Sequence, residues 1–452
     1  MNIQFIGATG TVTGSKYLLN AEGQKILVDC GLFQGLKELR LRNWASLPLN
    51  PAEIKCVLLT HAHIDHTGYV PLLVKNGFRG KIYCSYGTLE LCKILLPDSG
   101  YLQEEDANFA NRHGFSKHKP ALPLYTLKEA EESLKYFHPL DFEAPHELEK
   151  NLTFTLFPAG HILGASMIQV KDKERTLLFT GDLGRPNDLI MKPPRAIEQT
   201  DYLVLESTYG DRVHGAEDPK DEIAEVINRT AARGGVTIVP SFAVGRAQAV
   251  LYIIDQLKHE KKIPDIPVYL DSPMARDATD LYCAFGDGHR LSTKECTLMC
   301  RVAKIINTQD ESKALDEKQI PKIIVTASGM ATGGRVLHHL KAFISDPRNT
   351  VLFVGYQAAG TRGEAMVNGA KHIKMHGETF SVHAEIVKQD SLSAHADSEE
   401  IMSWLKNFKH PPKEVFLTHG EPPQAEALRS KIIEKLKWKC SVPQYLEWVD
   451  LK

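Results

Sequence analysis

His61-Ala62-His63-Ile64-Asp65-His66, directly after the apolar run Cys56-Val57-Leu58-Leu59, decides the reading of this chain. Four metal-ligating side chains fall within six residues at the end of a strand-like run. Imidazole and carboxylate at this density suit a borderline divalent ion such as zinc, which takes nitrogen and oxygen donors at roughly 2.0–2.2 Å. In extended backbone, residues i and i+2 point to one side, so His61 and His63 can share one ion. Asp65 and His66 follow after a turn and can face a second. A histidine-rich surface loop with Asp65 as a helix cap is the plainer alternative. It accounts for Asp65 and leaves three clustered histidines without a reason.

Further along, other apolar runs also end in polar donors. Leu177-Leu178-Phe179 leads to Asp182, Leu203-Val204-Leu205 to Glu206, and Val415-Phe416-Leu417 to His419. Ligands in layered α/β folds gather where strands end, so the recurrence points to one site assembled from distant segments. His161, in Gly160-His161-Ile162-Leu163-Gly164, and Asp182, in Thr180-Gly181-Asp182-Leu183-Gly184, stand in glycine-containing turns. Either one alone reads as an ordinary turn. Joined to the first cluster they bring the donors to six, and His419 in Thr418-His419-Gly420-Glu421 makes a seventh.

Gly7-Ala8-Thr9-Gly10, continuing to Gly14, imitates a dinucleotide-binding loop, which must run into a helix. Instead Tyr17-Leu18-Leu19, the turn Glu22-Gly23 and Ile26-Leu27-Val28 predict a β-hairpin, so these glycines are expected in a tight turn near the site. Up to about residue 206 the chain reads as strands with a few helices. Between 207 and 390 it alternates: strands at Val236–Val239, Val268–Leu270, Ile323–Val325 and Val351–Val354, with a helix over Ala247–Leu257. That alternation predicts a parallel sheet with crossovers. The domains expected are 1–206, an inserted 207–390, and 391–452 returning to the first.

At 452 residues the chain exceeds the roughly 250–300 that one core serves. Its 43% apolar and 24% charged residues are those of a soluble globular protein. No stretch approaches the ~20 apolar residues of a membrane span, and the start lacks a signal-peptide pattern, so a cytoplasmic protein with no membrane partner is expected. The eight cysteines form no disulfide framework, and buried thiols are the expectation. Cys296 and Cys300 stand one helical turn apart, with no further Cys or His evident to complete a zinc site. A net charge of −2 gives no polycationic field, so a polyanionic substrate must be drawn by metals and a local groove.

His61-Ala62-His63-Ile64-Asp65-His66, with Asp29 upstream and His161, Asp182 and His419 downstream, resembles the metallo-β-lactamase fold. The resemblance implies an αββα sandwich with two zinc ions at one edge. It assigns His61, His63 and His161 to one ion, Asp65, His66 and His419 to the other, Asp182 to both, and an orienting role to Asp29. Glu206-Ser207-Thr208-Tyr209-Gly210, Pro240-Ser241-Phe242-Ala243-Val244-Gly245-Arg246, Ala327-Ser328-Gly329-Met330, Gly333-Gly334-Arg335 and Ser393-Ala394-His395-Ala396-Asp397 resemble the β-CASP nucleases. These include the endonuclease subunit of pre-mRNA 3′-end processing and its prokaryotic relatives. The fold class expected is therefore α/β, an αββα metallo-β-lactamase sandwich carrying an inserted parallel-sheet β-CASP domain.

In that pattern Glu206, His395 and His419 are the first, second and third β-CASP motifs, and a histidine at the third resembles the RNA-directed branch rather than the DNA-directed one. Arg362-Gly363-Glu364 departs from the Gly-Arg ending expected after Gly355-Tyr356-Gln357. The implied activity is zinc-dependent hydrolysis of phosphodiester bonds in single-stranded RNA, through hydroxide activated by two metals. Asp182 would fix the metal pair, His395 would be the general acid, and Glu206 would tune its proton. Ser328, Gly329 and Arg335 are candidate substrate contacts, because glycine-rich strand-to-helix turns offer backbone N–H groups to phosphate, and Ser241, Arg246 and Ser393 in the neighbouring motifs are candidates beside them. Arg112, Lys117 and Lys119 around Phe115 are a candidate RNA groove, with a solvated basic loop as the plainer reading. A homodimer is a further expectation. The rivals are a small-molecule hydrolase of the same fold, a DNA nuclease and a non-catalytic RNA-processing subunit.

Overall fold

The computed structural model describes residues 1–452 except 115, 216, 217 and 390; Phe115 therefore lies outside the described residues. The chain divides into two compact units, Met1–Val213 with His395–Lys452, and His214–Ala394.

The first unit holds two seven-stranded sheets. One contains β1 (Asn2–Phe5), β2 (Tyr17–Ala21), β3 (Gln24–Val28), β4 (Ile54–Leu58), β5 (Lys81–Ser85), β6 (Phe137–Leu140) and the last strand, β22 (Trp448–Asp450), in the order β22-β1-β2-β3-β4-β5-β6. The other contains β7 (His146–Glu149), β8 (Leu152–Pro158), β9 (Ser166–Lys171), β10 (Thr176–Phe179), β11 (Tyr202–Glu206), β20 (Glu414–Thr418) and β21 (Cys440–Ser441), in the order β21-β20-β11-β10-β9-β8-β7. The expected hairpin is β2 against β3, turning at Glu22 and Gly23, both with positive φ. Phe5, Tyr17, Val28 and Leu58 of one sheet share a buried core with Leu156, Ile168, Phe179, Val204 and Phe416 of the other. Val57, Leu178 and Leu203 are fully buried yet lie outside that core, as the two-residue period of a strand requires. The outer faces carry helices. Tyr86–His113 packs on β5 and β6, and Pro422–Leu436 on β20 and β21, completing the αββα layering.

The second unit is built on β12 (Val236–Pro240), β13 (Val268–Asp271), β14 (Lys304–Ile305), β15 (Lys322–Thr326), β16 (Thr350–Phe353) and β19 (Glu385–Lys388), ordered β14-β13-β15-β12-β16-β19 with parallel pairing throughout. β17 (His372–Met375) and β18 (Glu378–Ser381) form a separate antiparallel pair. Every residue of β12, β15 and β16 is buried, as expected where helices cover both faces of a parallel sheet. Helices Pro219–Ala232 and Val336–Phe343 both pack on β12. Among the described residues no helix is long and apolar enough to cross a membrane.

Candidate metal centre

Five strand ends of the first unit deliver the donors and Glu206. β4 runs through Thr60 into a loop bearing His61 and His63, and one helical turn, Ile64–Thr67, then presents Asp65 and His66. The turn after β8 brings His161, the turn after β10 brings Asp182, β11 ends on Glu206, and His419 follows β20. His419 occupies left-handed backbone (φ 50°), and its N–H donates to the Ala8 carbonyl at 2.7 Å. The N-terminal glycine loop is thus beside the site, with Ser15 N–H donating to the Asp65 carbonyl (2.8 Å). Two glycines are steric necessities. A Cβ on Gly31 would fall 1.5 Å from the Asp65 carbonyl oxygen, and one on Gly184 would fall 2.0 Å from that of Gly160, where the Asp182 and His161 turns meet.

The donors converge as two groups. His63 Nδ1 lies 3.1 Å from His61 Nε2 and 3.2 Å from His161 Nε2, and Asp182 Oδ2 lies 3.4 Å from each of the latter two nitrogens. In the second group His419 Nε2 lies 3.2 Å from both His66 Nε2 and Asp65 Oδ2, and Asp182 Oδ1 lies 3.3 Å from His66 Nε2. The edges of a tetrahedron of donors around zinc are roughly 3.3–3.6 Å, given bonds of 2.0–2.2 Å. The separations above, 3.1–3.4 Å, lie at or just below that range. Asp182 offers one oxygen to each group, and its Oδ1 is buried with no hydrogen-bond partner among the described residues. A buried carboxylate oxygen left bare is costly unless a cation faces it.

Neighbouring groups fix which ring nitrogens face inward. His66 Nδ1 lies 2.8 Å from Asp29 Oδ2, and the fully buried Asp29 also accepts from the Thr60 N–H and hydroxyl. With its proton given to Asp29, the Thr60 hydroxyl accepts from His61 Nδ1 at 3.1 Å. Thr208 does the same for His419, donating to its carbonyl and accepting from Nδ1 at 3.0 Å. In each case the neighbouring group holds the outer nitrogen and turns the other one toward the centre.

The electrostatics differ between the two groups. Burial pushes His61 down to about 3, reinforced by His66, and pushes His63 down to about 4, so both rings are neutral donors at neutral pH. Burial works against protonation of His66 as well, but Asp182, Asp29 and Asp65 outweigh it and hold the ring well above the imidazole range. Asp182 is held well below the carboxylate range, where His419 and His66 overcome its burial. The cluster draws positive charge to itself.

His395 stands at the edge of this centre. It bridges to Gly184, its Nδ1 lies 3.1 Å from both Glu206 oxygens, and its Nε2 lies 3.9 Å from Asp182 Oδ2. Glu206 is fixed in turn by the Leu183 N–H (2.5 Å). Burial disfavours the imidazolium, but Glu206 and Asp182 prevail and raise His395 to about 8. Its side chain and that of Asp65 are 16% and 17% exposed, whereas those of His61, His66, His161 and Asp182 are at most 2%, so solvent reaches the centre beside His395 and Asp65.

In the second unit, Ser241 follows β12, Ser328 and Gly329 follow β15, and Arg246 opens the helix after β12. The Ser241 hydroxyl is buried without a hydrogen-bond partner among the described residues, and Gly329 leaves a Cβ no room beside Phe242. Ser393 is buried in the same unit. Arg335 is engaged within the unit: Nη1 donates to Asp271 (2.5 Å) and to the Ile306 carbonyl, Nη2 to that of Asn307. Arg112, Lys117 and Lys119 are exposed. Sequence reasoning did not single out Thr60 or Thr208, although Thr60 adjoins the histidine cluster and Thr208 lies in a quoted motif.

Residues 9–232 match the family model described as metallo-beta-lactamase superfamily, 247–366 the Beta-Casp domain, and 379–443 the Zn-dependent metallo-hydrolase RNA specificity domain. The chain is 34% identical to Ribonuclease TTHA0252 of Thermus thermophilus, over all of both chains. It is 30% identical to the transcription termination factor FttA of Methanosarcina mazei, over all of this chain and 72% of that one. A crystal structure of a protein of unknown function from Enterococcus faecalis V583 shares the fold, with TM-score 0.54 and 13% identity over 100% of this chain and 99% of that one. The chain belongs to the β-CASP branch of the metallo-β-lactamase superfamily, a family of metal-dependent nucleases.

Proposed function

We propose that this protein is a ribonuclease that hydrolyses phosphodiester bonds of single-stranded RNA with a pair of zinc ions. The observation that carries the reading is the convergence of seven donors, shared between two groups by one carboxylate, beside an imidazole oriented by a buried glutamate. His61, His63 and His161 would hold one ion, Asp65, His66 and His419 the other, and Asp182 both. Bound there, the ions supply a water that ionises near neutral pH and positive charge for the phosphoryl oxygens.

The rest falls to side chains. Glu206 accepts from His395 Nδ1 and fixes the ring, leaving the Nε2 proton on the side of the centre. Glu206, foremost of the charges that favour the imidazolium, keeps His395 protonated, and the ring donates that proton to the departing oxygen. Asp29, Thr60 and Thr208 keep the ligand rings from turning. RNA rather than DNA is supported by His419 in the third motif, by the match to an RNA specificity domain, and by the ribonuclease relative. Ser241, Arg246, Ser328, Gly329 and Ser393 are proposed to contact the strand, with Arg335 bracing their turn through Asp271.

Incubation with 5′-labelled single-stranded RNA and a matched DNA, each with and without chelator, tests the proposal. RNA should be cut, DNA spared, and chelator should abolish cutting. Intact RNA under all conditions, or equal cutting of DNA, would overturn it.

A further inference from the structure

Outside the metal centre, helices Pro273–Ala284 and Thr293–Arg301 of the second unit pack together and gather three thiols. Cys283 Sγ lies 2.7 Å from Cys300 Sγ, and the Cys283 thiol also reaches the Cys296 carbonyl at 3.5 Å. A disulfide bond is about 2.05 Å long, so the two sulfurs need approach by less than ~1 Å to bond. Cys283 is the one exposed cysteine of the eight; Cys300 is half-buried and Cys296 buried.

A zinc site is the obvious rival, because Cys296 Sγ lies 3.7 Å from His289 Nε2 and completes a set of three thiols and an imidazole. His289 is committed elsewhere. Its Nε2 lies 2.7 Å from the Tyr282 carbonyl, which only accepts, while its Nδ1 accepts from the Leu291 N–H at 3.1 Å. The nitrogen facing Cys296 therefore carries the proton and has no lone pair for a metal. Thiolates sharing a zinc also stand roughly 3.8 Å apart, given Zn–S bonds near 2.3 Å.

We propose that Cys283 and Cys300 form a reversible thiol–disulfide pair, a redox modification site that clasps helix Pro273–Ala284 to helix Thr293–Arg301. A low-molecular-weight disulfide such as glutathione disulfide is the oxidant. The Cys283 thiolate attacks one sulfur of the reagent, breaking its S–S bond and expelling one glutathione thiolate. The Cys300 thiolate then attacks the Cys283 sulfur, expelling the second. Two protein thiols are oxidised, one disulfide is reduced to two thiols, and the two protons pass to the expelled thiolates. Partial burial of its sulfur and the neighbouring Cys300 thiol push Cys283 up to about 12, so the thiolate is scarce at neutral pH and the exchange is slow.

The test treats the full chain with glutathione disulfide and maps its peptides without reduction. The expected result is a Cys283–Cys300 linked peptide, a loss of two titratable thiols restored by dithiothreitol, and a thermal midpoint raised by several degrees. That rise should vanish in Cys283→Ser and Cys300→Ser and persist in Cys296→Ser. An unchanged thiol count, a glutathione adduct persisting on Cys283, or a link through Cys296 would each overturn the proposal.

Discussion

Each unit buries a cluster of histidine and aspartate, and the two differ in whether their hydrogen bonds close. In the second unit Asp271 accepts from Arg335 on one oxygen and from Ser312 and His339 on the other, and the far side of His339 meets Asp316 at 2.6 Å. The polar atoms of that ion network meet one another, with two cations facing two carboxylates. In the first unit the ring nitrogens crowd each other at 3.1–3.2 Å, and Asp182 Oδ1, 3.3 Å from His66 Nε2, is buried without a hydrogen bond among the described residues. The same residue types thus build a self-satisfied brace in one place and a cradle for cations in the other. Histidine and aspartate content alone does not separate them; hydrogen-bond closure does.

The sharpest way to break this contrast is Asp182→Ala. Loss of the shared carboxylate should abolish metal binding and RNA cleavage together, read by elemental analysis and a labelled-RNA assay, while the thermal unfolding of the second unit stays put. Asp271→Ala should do the reverse. Removing one partner of a buried ion network costs about 3–5 kcal/mol, so the denaturant midpoint followed by circular dichroism should fall while metal content holds. Trp44, Trp404, Trp438 and Trp448 all lie in the first unit, so tryptophan fluorescence should follow that unit alone and separate the two effects.

His395→Ala comes next: both metals kept, turnover lower by roughly 10²-fold, as general-acid loss predicts. Unchanged turnover would remove His395 from the reaction. The smallest effect concerns pH. Burial opposes charge on His339, but hydrogen bonds to Asp271 and Asp316 raise its pKa; burial opposes charge on Asp271, but His339, Ser312 and Arg335 lower it. The His339 contribution is whole below 6.5 and is lost as pH rises through the raised value. That of Asp271 is whole above 3.8 and is lost as pH falls through the depressed one. Stability of the second unit should therefore be flat between those limits and decline on the alkaline side, a decline that His339→Gln removes.

What was legible in the sequence is what local chemistry announces. The cluster from His61 to His66 points to a metal site because four donors crowd one strand end, and the convergence of His161 and Asp182 on it becomes readable once the first cluster calls for partners. The parallel sheet of the second unit was legible from its alternation of apolar runs and helical stretches. Long-range pairing was not. Arg335 follows two glycines and suggests a phosphate cradle, yet its guanidinium goes to Asp271, 64 residues earlier. Thr60 and Thr208 are anonymous hydroxyls until the direction of each histidine ring is known. The reading of Cys296 and Cys300 left out Cys283, which stands 17 residues from Cys300 and arrives through the packing of two helices.

Elemental analysis of the purified wild-type chain tests the central claim most directly. Two zinc ions per chain are expected, both removed by chelator and both restored by buffered zinc. A folded chain that holds none and takes up none would contradict the account.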